Sequence, residues 1–183
     1  MKTTSLNGTW NMVGGGYACE GTVPGSVYSF LLNKELMPDP HYRDNEREAL
    51  KLMENDFDFS KKFQFKKPDF PVLLHCDGLD TLCDIYINGK YIAHTDNMHR
   101  SYEFDVTDAL SDGENEIKLT FLSPNKFVRD MYAKEGGYGC GSTLHGCQHL
   151  RKASCMMGWD WGPRLPDAGI WKDIYLLTVD SDR

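Results

Sequence analysis

The sequence has no run of about 18 apolar residues, the length that a membrane-spanning helix needs, so we expect no transmembrane segment. It also has no cluster of basic residues, because 20 lysines and arginines are outnumbered by 27 aspartates and glutamates, for a formal net charge of −7. Nucleic acids are bound by clustered positive charge, and we therefore expect no nucleic-acid partner. The first residues form no apolar leader, which predicts a cytoplasmic protein without a membrane anchor.

Because the sequence shows no export signal, its six cysteines favour free thiols over a disulfide framework. One region is denser, since Cys140, His145, Cys147, His149 and Cys155 lie within 16 residues and are the ligand types that zinc prefers. The closely spaced cysteine pair of common zinc motifs is missing, so no metal site is assigned. A metal site and a Cys140–Cys147 disulfide stay open as alternatives to free thiols, and no cofactor is expected.

The hydrophobic pattern indicates short strands in one domain covering residues 1–183. Alternating or compact apolar segments occur at residues 8–13, 57–65, 72–76, 83–87, 91–93, 102–106, 116–121 and 171–179. The dipeptide Asn88-Gly89 predicts a type I′ hairpin, because both central residues of that turn need a positive φ. We also expect a hairpin-like pair between residues 102–106 and 116–121. Strands repeating about every ten residues predict an all-β fold, a β-sandwich of jelly-roll type.

One or two short helices complete the predicted fold. Residues 27–32 follow Ser26, which is a favourable N-cap, and this helix is expected to plug one end of the sandwich. Residues 45–53 form a second, weaker helical pattern. Between residues 123 and 154 no periodicity is evident, so we expect a long loop that serves a function or is disordered.

The most unusual stretch is at residues 158–166, where Trp159, Asp160, Trp161 and Arg164 lie among two glycines and two prolines. Glycine and proline disfavour a helix or a long strand here, so a shaped loop is predicted. A sugar ring has apolar C–H faces and a rim of hydroxyls, which an indole and a carboxylate can bind together. The alternative is a buried tryptophan-rich corner in which Asp160 and Arg164 form an internal ion pair.

The remaining carboxylates do not suggest a hydrolytic site. Retaining hydrolysis of a glycoside needs two carboxyl groups about 5–5.5 Å apart on rigid elements, and the sequence places no such pair together. Glu46 and Glu116 are interpreted as structural, and Asp77 and Asp80 as turn residues beside Gly78. We therefore assign no catalytic residue to this chain.

Seven short motifs occur in order along the chain. They are Val-Pro-Gly-Ser-Val at residues 23–27, Asp-Pro-His-Tyr-Arg-Asp-Asn-Glu at 39–46, Gly-Leu-Asp-Thr at 78–81, Asp-Ile-Tyr-Ile-Asn-Gly at 84–89, Asn-Met-His-Arg at 97–100, Lys-Ala at 152–153 and Gly-Trp-Asp-Trp-Gly-Pro-Arg at 158–164. Together they resemble the N-terminal, galactose-binding-like domain of β-mannosidases of glycoside hydrolase family 2. The resemblance covers about residues 6–179.

The resemblance implies a jelly-roll domain at the start of a longer retaining enzyme whose barrel carries two catalytic glutamates that are absent here. It also implies that Trp159, Asp160 and Trp161 line the pocket for the terminal sugar of a β-mannoside, with Arg164 orienting the Asp160 carboxylate. The expected partners are the substrate of the full enzyme and the downstream domains of the same polypeptide. A free-standing carbohydrate-binding module remains the alternative, and the chain alone is not expected to hydrolyse a glycoside.

Overall fold

The computed structural model describes residues 2–137 and 141–179, and the strands in this part of the chain pair antiparallel in three sheets. The strands are β1 (Lys2–Ser5), β2 (Gly8–Gly14), β3 (Tyr17–Val23), β4 (Gly25–Ser26), β5 (Phe57–Phe65), β6 (Val72–Cys76), β7 (Leu79–Asp80), β8 (Cys83–Ile87), β9 (Lys90–Thr95), β10 (Tyr102–Asp105), β11 (Gly113–Phe121), β12 (Gly169–Ile170) and β13 (Ile174–Thr178). The α-helices are α1 (Val27–Asn33), α2 (Glu46–Leu52) and α3 (Pro124–Glu135), and short 3₁₀ helices cover Cys147–His149 and Ser154–Met157.

Two of the sheets make the sandwich. One has the strand order β3-β2-β5-β11-β8-β9 and the other has the order β1-β13-β6-β10, while β4-β12-β7 forms a small third sheet. Alternate residues of the two larger sheets are buried in one apolar cluster, which contains Leu74 and Leu176 from one sheet and Phe59, Ile85 and Leu119 from the other. The predicted all-β sandwich is confirmed.

The hairpin predicted at Asn88-Gly89 joins β8 to β9. The φ angles are 51° at Asn88 and 78° at Gly89, as a type I′ turn requires. The Asn88 side chain also donates to Ala109 O at 2.9 Å and to Asn115 Oδ1 at 2.7 Å. Local chemistry thus fixes this turn, and long-range hydrogen bonds attach it to β11 and to the connection between β10 and β11.

Helix α1 begins where the sequence predicts. Ser26 forms a reciprocal capping box with Ser29, since Ser29 N donates to Ser26 Oγ at 3.2 Å and Ser26 N donates to Ser29 Oγ at 2.7 Å. The helix buries Phe30 and Leu31, and the Phe30 ring lies 5.1 Å from the ring of Phe59 on β5. The helix therefore contributes its apolar face to the core of the sandwich.

Three expectations were wrong. The segment after Ser123 is not all loop, because α3 occupies its first part and brings the described α-helices to three instead of one or two. Strands β10 and β11 do not pair with each other, since β10 pairs with β6 in one sheet and β11 pairs with β5 and β8 in the other. The last strand is shorter than predicted, and Trp171 precedes it with 38% of its surface exposed. None of the helices in the described ranges is long and apolar enough to span a membrane.

A partly buried histidine on β6 lies between two carboxylates. His75 Nε2 is 2.8 Å from Asp77 Oδ1, its Nδ1 is 2.9 Å from Glu103 Oε1, and its ring stacks on Tyr175 at 4.6 Å. A neutral imidazole has one N–H and can donate to only one of the two, whereas the imidazolium donates to both. Burial acts to lower the pKa of His75, but the hydrogen bonds to Asp77 and Glu103 outweigh it and raise the pKa above 6.5.

We predict that His75 stabilises the fold more at pH 6 than at pH 9. The folded-state pKa lies above that of the unfolded chain, so the stabilisation is complete below about pH 6.5 and is lost as the pH rises through the folded-state pKa. Urea unfolding of the wild type and of His75→Gln across this range measures the difference. An advantage of the wild type over His75→Gln that stays constant from pH 6 to pH 9 would contradict the assignment.

Candidate functional site

The tryptophan-rich loop, residues 158–166, contains a tight hairpin whose tip carries Asp160 and Trp161. Trp159 N donates to Gly162 O at 3.1 Å, and Gly162 N donates to Trp159 O at 3.3 Å. Trp159 is 51% exposed, Trp161 is 83% exposed, and Asp160 is exposed as well. The interpretation of this loop as a buried tryptophan-rich corner is therefore wrong.

Two features of the backbone beside the hairpin hold the loop in shape. Gly158 has a φ of +88°, and a Cβ at this position would come within 2.3 Å of Arg164 Cγ, so only glycine lets the two sides of the loop approach this closely. Leu165 N donates to Met156 O at 2.9 Å, which joins the end of the loop to the 3₁₀ helix that precedes it. The loop is thus held in shape by its own backbone.

Arg164 pairs with a residue that the sequence did not suggest. Its Nε donates to Glu46 Oε1 at 2.7 Å, and Glu46 lies in the first turn of α2. The internal Asp160–Arg164 ion pair is not formed, because Glu46 is the ion-pair partner of Arg164 within the part of the chain that the structure describes. Arg164 attaches the loop to α2, and its predicted influence on the Asp160 carboxylate stays a prediction.

An apolar groove of about 870 Å³ runs along one side of the loop. Its walls are His41, Thr143, Cys147, Gln148, Ser154, Cys155, Met156, Gly158, Trp159, Trp161, Gly162, Pro163 and Leu165. Asp160 is not among these lining residues, so the two indoles flank the groove while the carboxylate belongs to the tip. His41 brings the segment at residues 39–46 to the same groove, which joins two of the motifs that are far apart in sequence.

The histidines and cysteines near the groove are dispersed among different contacts. His149 Nε2 is 2.8 Å from Gly136 O, and His145 packs edge-on against Tyr132 at 5.0 Å. Cys147 and Cys155 are free thiols, and Cys140 lies outside the described residues. Within residues 2–137 and 141–179 no three histidine, cysteine, aspartate or glutamate side chains form a group that could hold a metal ion.

Sequence reasoning missed a buried charged group beneath the loop. Asp80 is not only a turn residue, since it is 3% exposed and pairs with the buried Lys152, whose Nζ is 2.5 Å from Asp80 Oδ2. The two residues are 72 positions apart, so no local spacing could have revealed the pair. The signals available were the two short motifs that contain Asp80 and Lys152.

The chain matches a known protein family over most of its length. The sequence profile of the family described as glycosyl hydrolase 2 galactose-binding domain-like matches residues 3–172. The β-mannosidase of Bos taurus is 33% identical over 93% of this chain and 21% of its own length, and that of Mus musculus is also 33% identical over the same shares. The chain therefore spans about a fifth of the length of these curated relatives.

Solved structures of longer glycoside hydrolases also match nearly the whole of this chain. A β-D-mannosidase from Dictyoglomus thermophilum matches with a TM-score of 0.87 and 37% identity over 97% of this chain and 23% of that one. An exo-chitosanase from Amycolatopsis orientalis matches with a TM-score of 0.68 and 14% identity, over 97% of this chain and 21% of that one. The second likeness concerns the fold alone.

Proposed function

The chain belongs to the glycosyl hydrolase 2 galactose-binding domain-like family, and from that premise we propose that it is the N-terminal domain of a longer, retaining β-mannosidase. In this proposal Trp159, Asp160 and Trp161 form one wall of the pocket for the terminal mannose. The observation that carries the proposal is an exposed carboxylate between two exposed indoles at the tip of a hairpin. The two glutamates that cleave the glycoside would belong to another part of the polypeptide.

The chemistry of the tip suits a pyranose. The C–H face of the sugar can stack on an indole, while a carboxylate accepts hydrogen bonds from two neighbouring hydroxyls. Because the carboxylate is charged, these bonds are about twice as strong as those between neutral groups. Asp160 would therefore select for the positions of the hydroxyls, and the tryptophans would supply contact area.

The exposure of Trp161 supports a role in a larger assembly. An indole that is 83% exposed leaves apolar surface in water whose burial would be worth about 4 kcal/mol. A single domain gains nothing from that exposure, whereas a longer polypeptide can cover the indole together with the groove beside it. We therefore include the downstream domains of the same polypeptide among the partners of this surface.

In the longer enzyme, Asp160→Ala should lower kcat/KM for an aryl β-mannoside at least ~10-fold, because a charge-assisted hydrogen bond contributes about 1.5–3 kcal/mol. Asp160→Asn should give a smaller loss, since the amide keeps an acceptor of the same size without the charge. Asp108→Ala, which removes an exposed carboxylate from the connection between β10 and β11, is the matched control and should leave turnover unchanged. Unchanged kcat/KM in Asp160→Ala would refute the proposal.

A free-standing carbohydrate-binding module is the second candidate, because the exposed indoles of Trp159 and Trp161 could stack on a sugar without another domain. A binding site with useful affinity encloses most of its ligand, and a single wall does not. Calorimetry of the 183-residue chain with millimolar mannose should therefore show no saturable heat. Saturable binding that disappears in Trp161→Ala would replace the first proposal with the second.

A further inference from the structure

The residues on either side of the tryptophan-rich loop meet at one buried ammonium group. Lys152 precedes the segment 153–166, which carries the whole loop, and Asp167 follows it. Lys152 Nζ donates to the backbone oxygen of Asp167 at 2.6 Å and to Asp80 Oδ2 at 2.5 Å. The Lys152 side chain is 1% exposed, so both bonds are made away from water.

The groups that receive these bonds are themselves fixed. Asp80 lies on β7, which pairs with β12 through Gly169, and Asp80 Oδ1 accepts a hydrogen bond from the Thr81 hydroxyl. The chain just before the loop is attached as well, since Met98 N donates to Arg151 O at 3.0 Å and Ala153 N donates to Met98 Sδ at 2.9 Å. Lys152 therefore links the start of the loop, the end of the loop and the small sheet.

We propose that Lys152 is a positioning residue that closes the base of segment 153–166 and so aims the hairpin tip with Trp159, Asp160 and Trp161. The inference rests on the proposed function in that this tip is the part assigned to the sugar. A loop of fourteen residues with free ends would sample many orientations, and each fixed end removes a large part of that freedom. The bond from Leu165 N to Met156 O closes the loop itself, and the bond from Lys152 to Asp167 O joins the two residues that flank the segment. The bond to Asp80 anchors these flanking residues to the small sheet.

The competing explanation is that Lys152 only neutralises Asp80. A buried carboxylate without a partner is strongly unfavourable, so any lysine variant would loosen the whole domain for that reason alone. The two explanations separate in Asp80→Asn/Lys152→Met, which removes both charges together. That double variant cancels the charge imbalance but still lacks the bond to Asp167 O.

The experiment is amide hydrogen exchange on the 183-residue chain, with Lys152→Met, the Asp80→Asn/Lys152→Met double variant and the wild type compared. In Lys152→Met the amides of residues 153–166 should exchange at least ~10-fold faster, and β11 should also lose protection. In the double variant β11 should regain most of its protection while residues 153–166 stay fast. Lys61→Met is the matched control, because Lys61 Nζ also donates to two backbone oxygens, Asn7 O at 2.8 Å and Thr9 O at 3.2 Å, and should not affect residues 153–166.

Restored protection of both regions in the double variant would overturn the proposal and leave Lys152 as a neutralising charge. Equal loosening of residues 153–166 and β11 in every variant would overturn it as well. In the longer enzyme the double variant should lose kcat/KM, and adding Asp160→Ala to it should cost less than Asp160→Ala costs alone, because the tip is already misplaced. Hydrogen exchange is measured without sugar. An unchanged kcat/KM in Asp160→Ala would therefore refute the proposed function and leave the exchange result unaffected.

Discussion

Replacing Asp167 with asparagine should make the protein more stable above pH 7, by up to about 3 kcal/mol, although it removes a charged residue close to a lysine. The pKa of Asp167 is raised from 3.8 to about 6, chiefly by burial. Hydrogen bonds from the Ser26 side chain, from Ala168 N at 2.8 Å and from Tyr28 N at 3.2 Å only partly offset that effect. Each pKa unit corresponds to about 1.4 kcal/mol, so ionised Asp167 costs the fold about 3 kcal/mol. Asparagine keeps the acceptor oxygen and does not ionise.

Burial dominates at Asp167 because the nearest positive charge offsets it only weakly. Asp80 and Asp167 are near the same ammonium group, and Lys152 gives Asp80 a direct bond to its carboxylate but contacts Asp167 at the backbone oxygen. Lys152 therefore lowers the pKa of Asp167 by less than burial raises it. The same substitution at Asp80 should therefore have the opposite sign, because Asp80→Asn leaves Lys152 without its counter-charge.

The raised pKa of Asp167 determines how the effect of Asp167→Asn on stability changes with pH. Between about pH 4 and pH 6 the unfolded chain has already lost the Asp167 proton while the folded chain keeps it, so the contribution of Asp167 to stability falls as the pH rises through this range. Asp167→Asn should match the wild type near pH 4 and exceed it at pH 8, as measured by urea unfolding. Asp105→Asn is the control of opposite sign, because hydrogen bonds from the Thr107 hydroxyl and backbone lower the pKa of Asp105. A destabilised Asp167→Asn at pH 8 would show that the ionised carboxylate is favourable.

The features predicted correctly from the sequence are those that local chemistry determines. The turn at Asn88-Gly89 needs two positive φ angles, and α1 needs the cap at Ser26, so a few adjacent residues specify each of them. Helix α3 could have been found in the same way, since Ser123 accepts from Lys126 N as an N-cap and Pro124 occupies the first turn. The lack of a clear apolar period across residues 123–154 hid this start signal.

Pairings between distant residues could not be predicted, because alternation identifies a strand but not its neighbour. Strands β10 and β11 are consecutive and yet belong to different sheets, which is how the chain alternates between the two layers of the sandwich. The ion pair of Arg164 with Glu46 joins residues 118 positions apart, and no spacing rule reaches that far. The aromatic tip was visible in the sequence, whereas the pairing of Arg164 with Glu46 and of Lys152 with Asp80 was not.

Gly21→Ala should destabilise the fold by about 3 kcal/mol and lower the melting temperature by roughly 6–12 °C. A Cβ at Gly21 on β3 would lie 2.1 Å from Phe30 Cγ and 2.3 Å from the two neighbouring ring carbons. The ring cannot withdraw, because it is 1% exposed and packs against Phe59, whose ring packs in turn against Phe121 at 5.2 Å. Helix α1 would have to move away from the sheet, which would also weaken the bond from Val27 N to Ala168 O, now 2.8 Å long.

A size exchange tests whether the clash is the cause. Phe30→Leu removes the ring and should destabilise the wild type. In the Gly21→Ala background the same change makes room for the new methyl group. The stability lost in the double variant should therefore be smaller than the sum of the two single losses by at least ~1 kcal/mol. Gly141→Ala is the control, since a Cβ there meets no atom within 4 Å and the substitution should change stability by less than ~0.5 kcal/mol. Additive losses in thermal unfolding would mean that Gly21 and Phe30 do not constrain each other, and that α1 is held against the sandwich by its other contacts.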